Sequence, residues 1–250
     1  TVPLAEAPAQ VIIPMSMHLG APCKAVVSVG DEVKVGQIIG ETTGLGAPIH
    51  ASVSGKVVAV EPRPFGNGGE MVSVVIENDF RDTPDPAIQH RNNVDALTGE
   101  EIIEIVKNAG ITGMGGAGFP THVKLAGAVG KVDTLILNGA ECEPYITSDH
   151  RLMLERGDAV IGGAQLMAKA IGLNGAVIGK PDAIEHLKAL AGLAGDIRIE
   201  GLKTRYPQGA EKQLIQMITG RQVPPGKLPA DVGCLVCNVA TAAAVYDAVT

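Results

Sequence analysis

The chain has 250 residues, a hydrophobic fraction of 46%, a charged fraction of 19% and a formal net charge of −7. This composition excludes a disordered tail and a coiled coil, and a chain of this length can bury a core without disulfide or metal staples. The acidic balance, together with only three Phe, three Tyr and no Trp, argues against a nucleic-acid binder, which needs a basic surface and usually stacking aromatics.

The chain shows neither the start of a complete protein nor an export or membrane-spanning signal. There is no initiator Met, and Thr1–Gln10 shows neither the basic nor the apolar part of an export signal. The longest apolar stretch, Leu235–Val245, is interrupted by Asn238 and Thr241 and is shorter than the roughly 20 residues of a membrane-spanning helix. We therefore expect a segment of a longer protein, with no transmembrane segment of its own.

Residues 11 to about 80 are predicted to be all-β, because short β-branched runs alternate there with turns rich in Gly, Pro, Asp and Asn. The predicted strands are Val11–Pro14, Ala25–Val29, Gln37–Gly40, Ser54–Val60 and Met71–Glu77.

Two segments of this region are Val29-Gly-Asp-Glu-Val-Lys-Val-Gly-Gln-Ile-Ile and Ala51-Ser-Val-Ser-Gly-Lys-Val. They resemble the two halves of a barrel-sandwich hybrid of the biotinyl/lipoyl type. Carrier domains of that type bear a modified Lys at the hairpin tip between the halves, whereas the tip here, Thr42–Pro48, has no Lys. We therefore expect a structural or docking barrel over residues 1–80.

Residues 81–97 form a polar, Pro-bearing stretch that is predicted to be a linker. After it, Thr98 and Glu101 have the spacing of a capping box that opens an amphipathic helix. Strands and helices then alternate, which predicts an α/β domain with a mainly parallel sheet over residues 98–250. The predicted strands are Thr134–Leu137, Ala176–Ile178, Ile197–Glu200 and Gly233–Cys237, and the predicted helices are Ser148–Gly172, Asp182–Ala194, Ala210–Ile218 and Ala240–Ala248.

A glycine-rich segment, Gly110–Lys124, is the most distinctive feature of the α/β region. It contains a formal Gly-x-Gly-x-x-Gly that starts at Gly113. The segment follows a predicted helix rather than a strand, and Pro120 interrupts its continuation, so it is not the ordinary dinucleotide fingerprint. Backbone N–H groups without neighbouring Cβ atoms can still approach an anion, and Lys124 is placed to close such a site. A tight turn packed against the sheet explains the glycines equally well.

Further polar residues follow predicted strands, where open α/β sheets bind their ligands. They are Asn138, Glu141 and Glu143 after the first strand, Tyr206, Gly209 and Glu211 at a later strand-to-helix junction, and Asn238 after the last strand. Structural explanations exist for several of them, because Asn138 and Glu141 can cap local backbone and the helix dipole favours Glu211 in a first helical turn. Their recurrence in one sheet nevertheless predicts a ligand site.

Four cysteines are present, and two of them, Cys234 and Cys237, form a Cys-x-x-Cys pair of the kind used in redox and metal sites. No second pair completes a set of four ligands, and apolar residues surround the two thiols. We interpret this pair as part of a buried strand and expect no metal site in this segment.

Four longer motifs extend over nearly the whole chain. They are Ile13-Pro…His18-Leu-Gly-Ala-Pro, Met114-Gly-Gly-Ala-Gly-Phe-Pro-Thr-His-Val-Lys-Leu, Asn138-Gly-Ala-Glu-Cys-Glu-Pro-Tyr and Tyr206-Pro-Gln-Gly-Ala-Glu-Lys-Gln-Leu. The chain thereby resembles the flavin- and NADH-binding subunit of respiratory complex I, and it is more closely similar to the C subunit of the Rnf electron-transport complex.

This resemblance implies binding of FMN and NAD(H), with hydride transfer between NADH and the flavin and no catalytic side chain. It implies that the FMN phosphate and ribityl chain are held by Gly113, Gly115, Gly116 and Lys124. The flavin would be lined by Asn138, Glu141 and Glu143 and closed by Asn238. The flavin and NADH pocket would be completed by Tyr206, Gly209 and Glu211, with Phe119 stacking on the nicotinamide nucleotide.

The resemblance also implies a place in a larger assembly. The partners would be the other subunits of an Rnf complex and, indirectly, ferredoxin, at the cytoplasmic face of a bacterial membrane and coupled to ion translocation. Members of the family carry two 4Fe–4S clusters on Cys motifs near the C-terminus, and those motifs are absent from this chain. We expect the clusters in the remainder of the longer protein.

Two positions depart from the complex I pattern, with Met114 where that pattern has Arg and Ala140 where it has Asp. They leave room for a scaffold that has lost its cofactor. A second alternative is a soluble relative that uses the same flavin site to serve a cytosolic or microcompartment reductase.

Overall fold

The computed structural model describes residues 6–66, 68–179, 187–189, 192, 196–203 and 205–250. The chain divides into two compact units. One, here called the barrel unit, comprises Thr1–His90 and Gly118–Pro120, and the other, here called the α/β unit, comprises Arg91–Ala117 and Thr121–Thr250.

The barrel unit contains seven strands among its described residues. They are β1 (Gln10–Pro14), β2 (Lys24–Ala25), β3 (Glu32–Val33), β4 (Ile38–Glu41), β5 (Ile49–His50), β6 (Gly55–Pro64) and β7 (Glu70–Asn78). Two antiparallel sheets result, a four-stranded one in the order β1-β7-β6-β3 and a three-stranded one in the order β2-β4-β5. Apolar side chains of this unit, among them Met15, Ile39 and Val57, are buried in one core.

The sequence-based strand positions differ from these in detail. The predicted strand Ala25–Val29 is reduced to Lys24–Ala25, and the strands Glu32–Val33 and Ile49–His50 were not predicted. A strand of two residues is too short to display the alternation of apolar and polar side chains on which the prediction depends. Glycine is required at Gly55, the first residue of β6, because φ is 151° there and a Cβ would lie 1.9 Å from the Glu77 carbonyl oxygen.

The α/β unit contains four described strands and six described α-helices. In chain order they are α1 (Gly99–Asn108), α2 (Thr121–Ala128), β8 (Thr134–Asn138), α3 (Ser148–Glu155), α4 (Gly157–Ala170), β9 (Ala176–Gly179), β10 (Ile197–Glu200), α5 (Glu211–Thr219), β11 (Cys234–Asn238) and α6 (Val239–Val249). The capping box before α1 is confirmed, because the Thr98 side chain accepts from the Glu101 N–H and the Glu101 carboxylate accepts from the Thr98 N–H at 2.7 Å.

The four strands form a parallel sheet in the order β10-β9-β8-β11. From β8 the chain proceeds to β9 and β10 on one side and then returns to place β11 on the other side. The strand order therefore reverses between β8 and β11, which is the point where open α/β sheets bind ligands, outside the carboxyl ends of the strands.

Helices cover both faces of this sheet. Leu135, Leu137 and Leu235 face a core that includes buried residues of α1, α2, α4 and α6, whereas Ile136 and Val236 face a smaller core with Leu214 and Ile215 of α5. Alternation of side chains along each strand thus buries both faces, as expected for a parallel sheet.

One of the helix predictions in this unit is corrected by the structure, and one helix was not predicted. The predicted helix Ser148–Gly172 is two helices, since Arg156 leaves the helical region with φ −137° and ψ 42° and both ends α3 and precedes α4. The glycine-rich segment follows α1, as expected, and contains no helix before Pro120; α2, which was not predicted, begins directly after that proline at Thr121. Most of the predicted helix Asp182–Ala194 lies outside the described residues.

The Cys-x-x-Cys pair lies on β11. Cys234 packs with the α5 core and Cys237 with the opposite core, because residues three apart on a strand point to opposite faces. Both residues are buried free thiols, and burial raises the pKa of the Cys237 thiol to about 11. Geometry therefore rules out a chelate or a disulfide between these two residues in the folded strand.

None of the described helices is both long enough and apolar enough to cross a membrane.

Candidate functional site

A cleft of about 430 Å³ lies in the α/β unit at the carboxyl ends of β8 and β11. Its lining residues come from the glycine loop, from the segments that follow these two strands, from the start of α3 and from the loop before α5. They are Met114, Gly115, Asn138, Ala140, Glu141, Cys142, Glu143, Ile146, Ser148, Asp149, Tyr206, Pro207, Gly209, Ala210 and Asn238. The volume falls within the range of about 300–1,000 Å³ that is typical of small-molecule sites.

Two asparagines mark the floor of this cleft. Asn138 and Asn238, one hundred positions apart in sequence, are register partners at the last positions of β8 and β11. The Asn138 amide donates to the Gly209 carbonyl at 2.9 Å and accepts from the Ala140 N–H at 3.1 Å. One side chain thereby fixes both the loop after β8 and the loop before α5.

Asn238 has three partners within the unit. Its side-chain oxygen accepts from the Ala240 N–H at 2.7 Å and so caps the N-terminus of α6. Its Nδ2 donates to Asp149 Oδ2 at 2.7 Å and approaches the Asn138 carbonyl oxygen at 3.5 Å. The amide is therefore held in one orientation, with Asp149 fixing which end carries the nitrogen.

Glu141 holds the start of α3. Its carboxylate accepts from the backbone N–H groups of Asp149 at 3.0 Å and His150 at 3.2 Å and from the Ser148 hydroxyl at 3.1 Å. These contacts satisfy helix-terminal donors and place a negative charge at the positive end of the helix dipole. The local capping considered from the sequence is thus what Asn138 and Glu141 do in this structure.

Close backbone approaches explain two of the glycines. A Cβ at Gly115 would lie 2.8 Å from Asn238 Cβ and 2.9 Å from its Nδ2. A Cβ at Gly209 would lie 2.5 Å from the Ala140 carbonyl oxygen and 3.1 Å from the sulfur of Cys142, which accepts from the Gly209 N–H at 3.3 Å. At Gly116, by contrast, an added Cβ would meet no atom within 4 Å.

The ion pair between Lys124 and Glu211 lies beside the end of β11. Lys124 Nζ donates to the Val236 carbonyl oxygen at 2.5 Å and lies 3.4 Å from Glu211 Oε1, with side chains 35% and 41% exposed. Glu211 is the first residue of α5, as predicted for a first-turn carboxylate. Neither side chain is among the residues that line the cleft.

The structure brings together most of the residues that the sequence singled out. Those in the lining of the cleft are Gly115, Asn138, Glu141, Glu143, Tyr206, Gly209 and Asn238. Gly113, Gly116, Lys124 and Glu211 belong to the same unit without lining it, and Phe119 falls in the short segment assigned to the barrel unit.

The structure adds lining residues that sequence reasoning did not name, chiefly Asp149, Ser148 and Cys142. The signal for Ser148 and Asp149 was available, because polar residues that open the helix after a strand-end loop are placed at the same edge of the sheet. All charged side chains in the lining are acidic, namely Glu141, Glu143 and Asp149. Among the described residues, no group of three or more His, Cys, Asp or Glu could hold a metal ion.

Comparison with protein families decides the assignment of the fold. Residues 106–247, more than half of the chain, match the family described as the Nuo51 FMN-binding domain. The chain belongs to this family. Residues 1–81 match the RnfC barrel sandwich hybrid domain, so the predicted order of a barrel-sandwich hybrid followed by a flavoprotein α/β domain is confirmed.

Similar full-length proteins support the Rnf resemblance. The chain is 51% identical over 96% of its length to the C subunit of the Na(+)-translocating ferredoxin:NAD(+) oxidoreductase complex of Acetobacterium woodii, and it covers 56% of that protein. It is 48% identical over 99% of its length to the C subunit of the proton-translocating ferredoxin:NAD(+) oxidoreductase complex of Clostridium ljungdahlii, of which it covers 55%. The chain thus spans about half the length of these relatives, and its resemblance to the C subunits of Rnf complexes is confirmed.

A solved structure shows the same fold. An NAD+-reducing [NiFe]-hydrogenase in its air-oxidized state is similar with a TM-score of 0.58 and 27% identity. The match covers 67% of this chain and 33% of the hydrogenase chain.

Proposed function

We propose that this chain is the FMN- and NADH-binding part of the C subunit of an Rnf-type, ion-translocating ferredoxin:NAD oxidoreductase. The observation that carries the proposal is the cleft at the reversal of strand order, floored by Asn138 and Asn238, in a chain that belongs to the Nuo51 FMN-binding domain family. The names of its relatives supply the reaction, and the barrel match at residues 1–81 favours the Rnf type over other flavoproteins.

The residues present fit a flavin nucleotide. The space around the Cβ position of Gly116 is open, Gly115 and Gly209 line the cleft without side chains, and Asn138 and Asn238 present amides at its floor. The acidic lining argues that the phosphate lies away from Glu141, Glu143 and Asp149. Its place would be at the backbone N–H groups of the glycine loop near Gly113 and Gly116, with Lys124 supplying positive charge.

The protein's part in the reaction is binding and orientation. FMN, when bound, would supply the exchange between the two-electron chemistry of NADH and one-electron carriers. Asn138 and Asn238 would align the flavin edge, and Tyr206 and Glu143 would shape the open side of the cleft where the nicotinamide nucleotide enters. Glu211 and Phe119 are proposed to contact that nucleotide, with the Glu211 charge disfavouring the additional phosphate of NADPH.

The proposed setting is a membrane-associated complex. Other Rnf subunits would bind this protein at the cytoplasmic face of the membrane, and ferredoxin would exchange electrons through them. Two 4Fe–4S clusters are proposed for the part of the longer protein outside this chain, since the relatives are nearly twice as long as the segment they share with it.

The flavin content of the purified full-length protein tests this function. We expect about one FMN per chain, bleached by NADH under anaerobic conditions and more slowly by NADPH. Asn238→Leu, which removes the amide but retains the volume, should lower the flavin content, whereas Arg198→Gln, a surface change away from the cleft lining, should not. A colourless parent protein that binds neither nucleotide would favour the alternative of a scaffold without cofactor.

A further inference from the structure

The rim of the cleft carries a tyrosine in an unusual backbone conformation. Glu143, Pro144, Tyr145 and Ile146 form a turn that is closed by the Ile146 N–H, which donates to the Glu143 carbonyl oxygen at 3.3 Å. Tyr145 occupies the third position with φ 67°. Because Pro144 restricts the second position to negative φ, the turn is of type II, whose third position is normally Gly or Asn.

The Tyr145 side chain does not compensate for the strain of this conformation by packing. A non-glycine residue with left-handed φ has its Cβ close to backbone atoms, so such residues are uncommon, and they are enriched at functional sites. The Tyr145 side chain is fully exposed. Its ring therefore contributes no burial to the folded chain, and a glycine would satisfy the turn better.

The position of Tyr145 indicates what the ring is for. Tyr145 itself does not line the cleft, but the residues on both sides of it in the turn, Glu143 and Ile146, do, and so does Tyr206, which is 69% exposed. The chain has only three tyrosines. Two of them thus belong to the turn and the loop that border the cleft, while the third, Tyr246, packs against Gly162.

We propose that Tyr145 is a nucleotide-binding residue that stacks on a heteroaromatic ring of NAD(H) at the mouth of the cleft. This inference rests on the proposed function and adds a contact residue to it. The planar Tyr145 ring is already exposed in the free protein, so a nucleotide ring can stack on it directly. Stacking on an aromatic side chain contributes substantially to binding whichever base is involved. The turn fixes the backbone of Tyr145 beside the cleft, and a tyrosine side chain has only two rotatable bonds to order when the dinucleotide binds.

The test separates binding from folding, because the two should change in opposite directions. Tyr145→Gly in the full-length protein should raise the Tm slightly, since glycine relieves the left-handed strain. It should also raise the dissociation constant of ADP-ribose, or the KM for reduced nicotinamide mononucleotide, by about fivefold or more. This is the loss expected when a stacking ring is removed. Calorimetric titration with ADP-ribose reports an adenine contact, and the KM for the mononucleotide reports a nicotinamide contact. Tyr145→Phe should retain binding in either assay.

A matched control is available in the barrel unit. Phe80 is also an exposed aromatic residue with left-handed φ, 58°, and it does not line the cleft. Phe80→Gly removes an aromatic side chain that is 60% exposed and should leave both nucleotide assays unchanged. Unaltered nucleotide binding in Tyr145→Gly with normal flavin content would overturn the role of Tyr145 and leave the proposed function intact. A parent protein without flavin or nucleotide binding would overturn both, and a Tyr145→Gly variant defective only in complex assembly would overturn the nucleotide contact and assign the ring to a protein partner instead.

Discussion

The contact between Gly115 and Asn238 permits a quantitative prediction about the glycine loop. In Gly115→Ala the new Cβ would lie 2.8 Å from Asn238 Cβ and 3.1 Å from its Cγ, so the asparagine must move. Its amide then loses two short hydrogen bonds, the cap on α6 and the bond to Asp149. Loss of an N-cap costs about 0.5–2 kcal/mol, and loss of a hydrogen bond to a carboxylate costs about 1.5–3 kcal/mol.

The sum predicts a decrease of about 2–5 kcal/mol in the free energy of unfolding of the α/β unit. For a domain of this size, that decrease corresponds to a Tm lower by about 4–20 °C, which scanning calorimetry can measure. The amount of bound flavin should decrease together with the Tm. Gly116→Ala is the matched control, because its Cβ meets no atom within 4 Å and neither glycine has left-handed φ. Equal melting temperatures for the two variants would refute the argument that Gly115 is required by Asn238.

Three further predictions concern other parts of the chain. Glu211→Gln should cost only about 0.3–1 kcal/mol, since Glu211 is a first-turn carboxylate whose ion pair with Lys124 is partly exposed to solvent. Steady-state kinetics should show weaker discrimination between NADH and NADPH, and an unchanged preference would leave Glu211 a purely structural role. Because the hairpin tip Thr42–Pro48 has no Lys, the intact mass should show no lipoyl or biotinyl group, and an increment of either size would contradict the structural interpretation of the barrel. Burial raises the pKa of the Cys237 thiol from 9.0 to about 11, so its contribution to stability is complete below pH 9 and is lost as the pH rises towards 11. The Tm of the parent should therefore fall more steeply between pH 9 and pH 11 than the Tm of Cys237→Ala.

The architecture of the site could be predicted from sequence because it depends on a topological rule. Asn138 and Asn238 each follow a strand, and the carboxyl ends of parallel strands meet at one edge of a sheet whatever their separation in sequence. The capping box at Thr98 was equally predictable, because it depends on residues three positions apart. The chemical role of the site came from motif resemblance and not from such patterns.

Features that depend on tertiary partners could not be predicted. The break at Arg156 within the predicted helix Ser148–Gly172 coincides with an ion pair between Arg156 and Asp247, 2.5 Å long, that joins distant segments. The pairing of Lys124 with Glu211 likewise depends on how α2 and α5 are placed around the sheet. Side-chain periodicity carries no information about contacts of this kind.

The central claim is that the cleft between the ends of β8 and β11 holds the flavin. A structure of the full-length protein loaded with FMN tests it most directly. The account predicts flavin density in that cleft, with the ring within hydrogen-bonding distance of Asn138 or Asn238 and the phosphate near the glycine loop. Flavin bound elsewhere in the protein, with this cleft filled only by water, would contradict it.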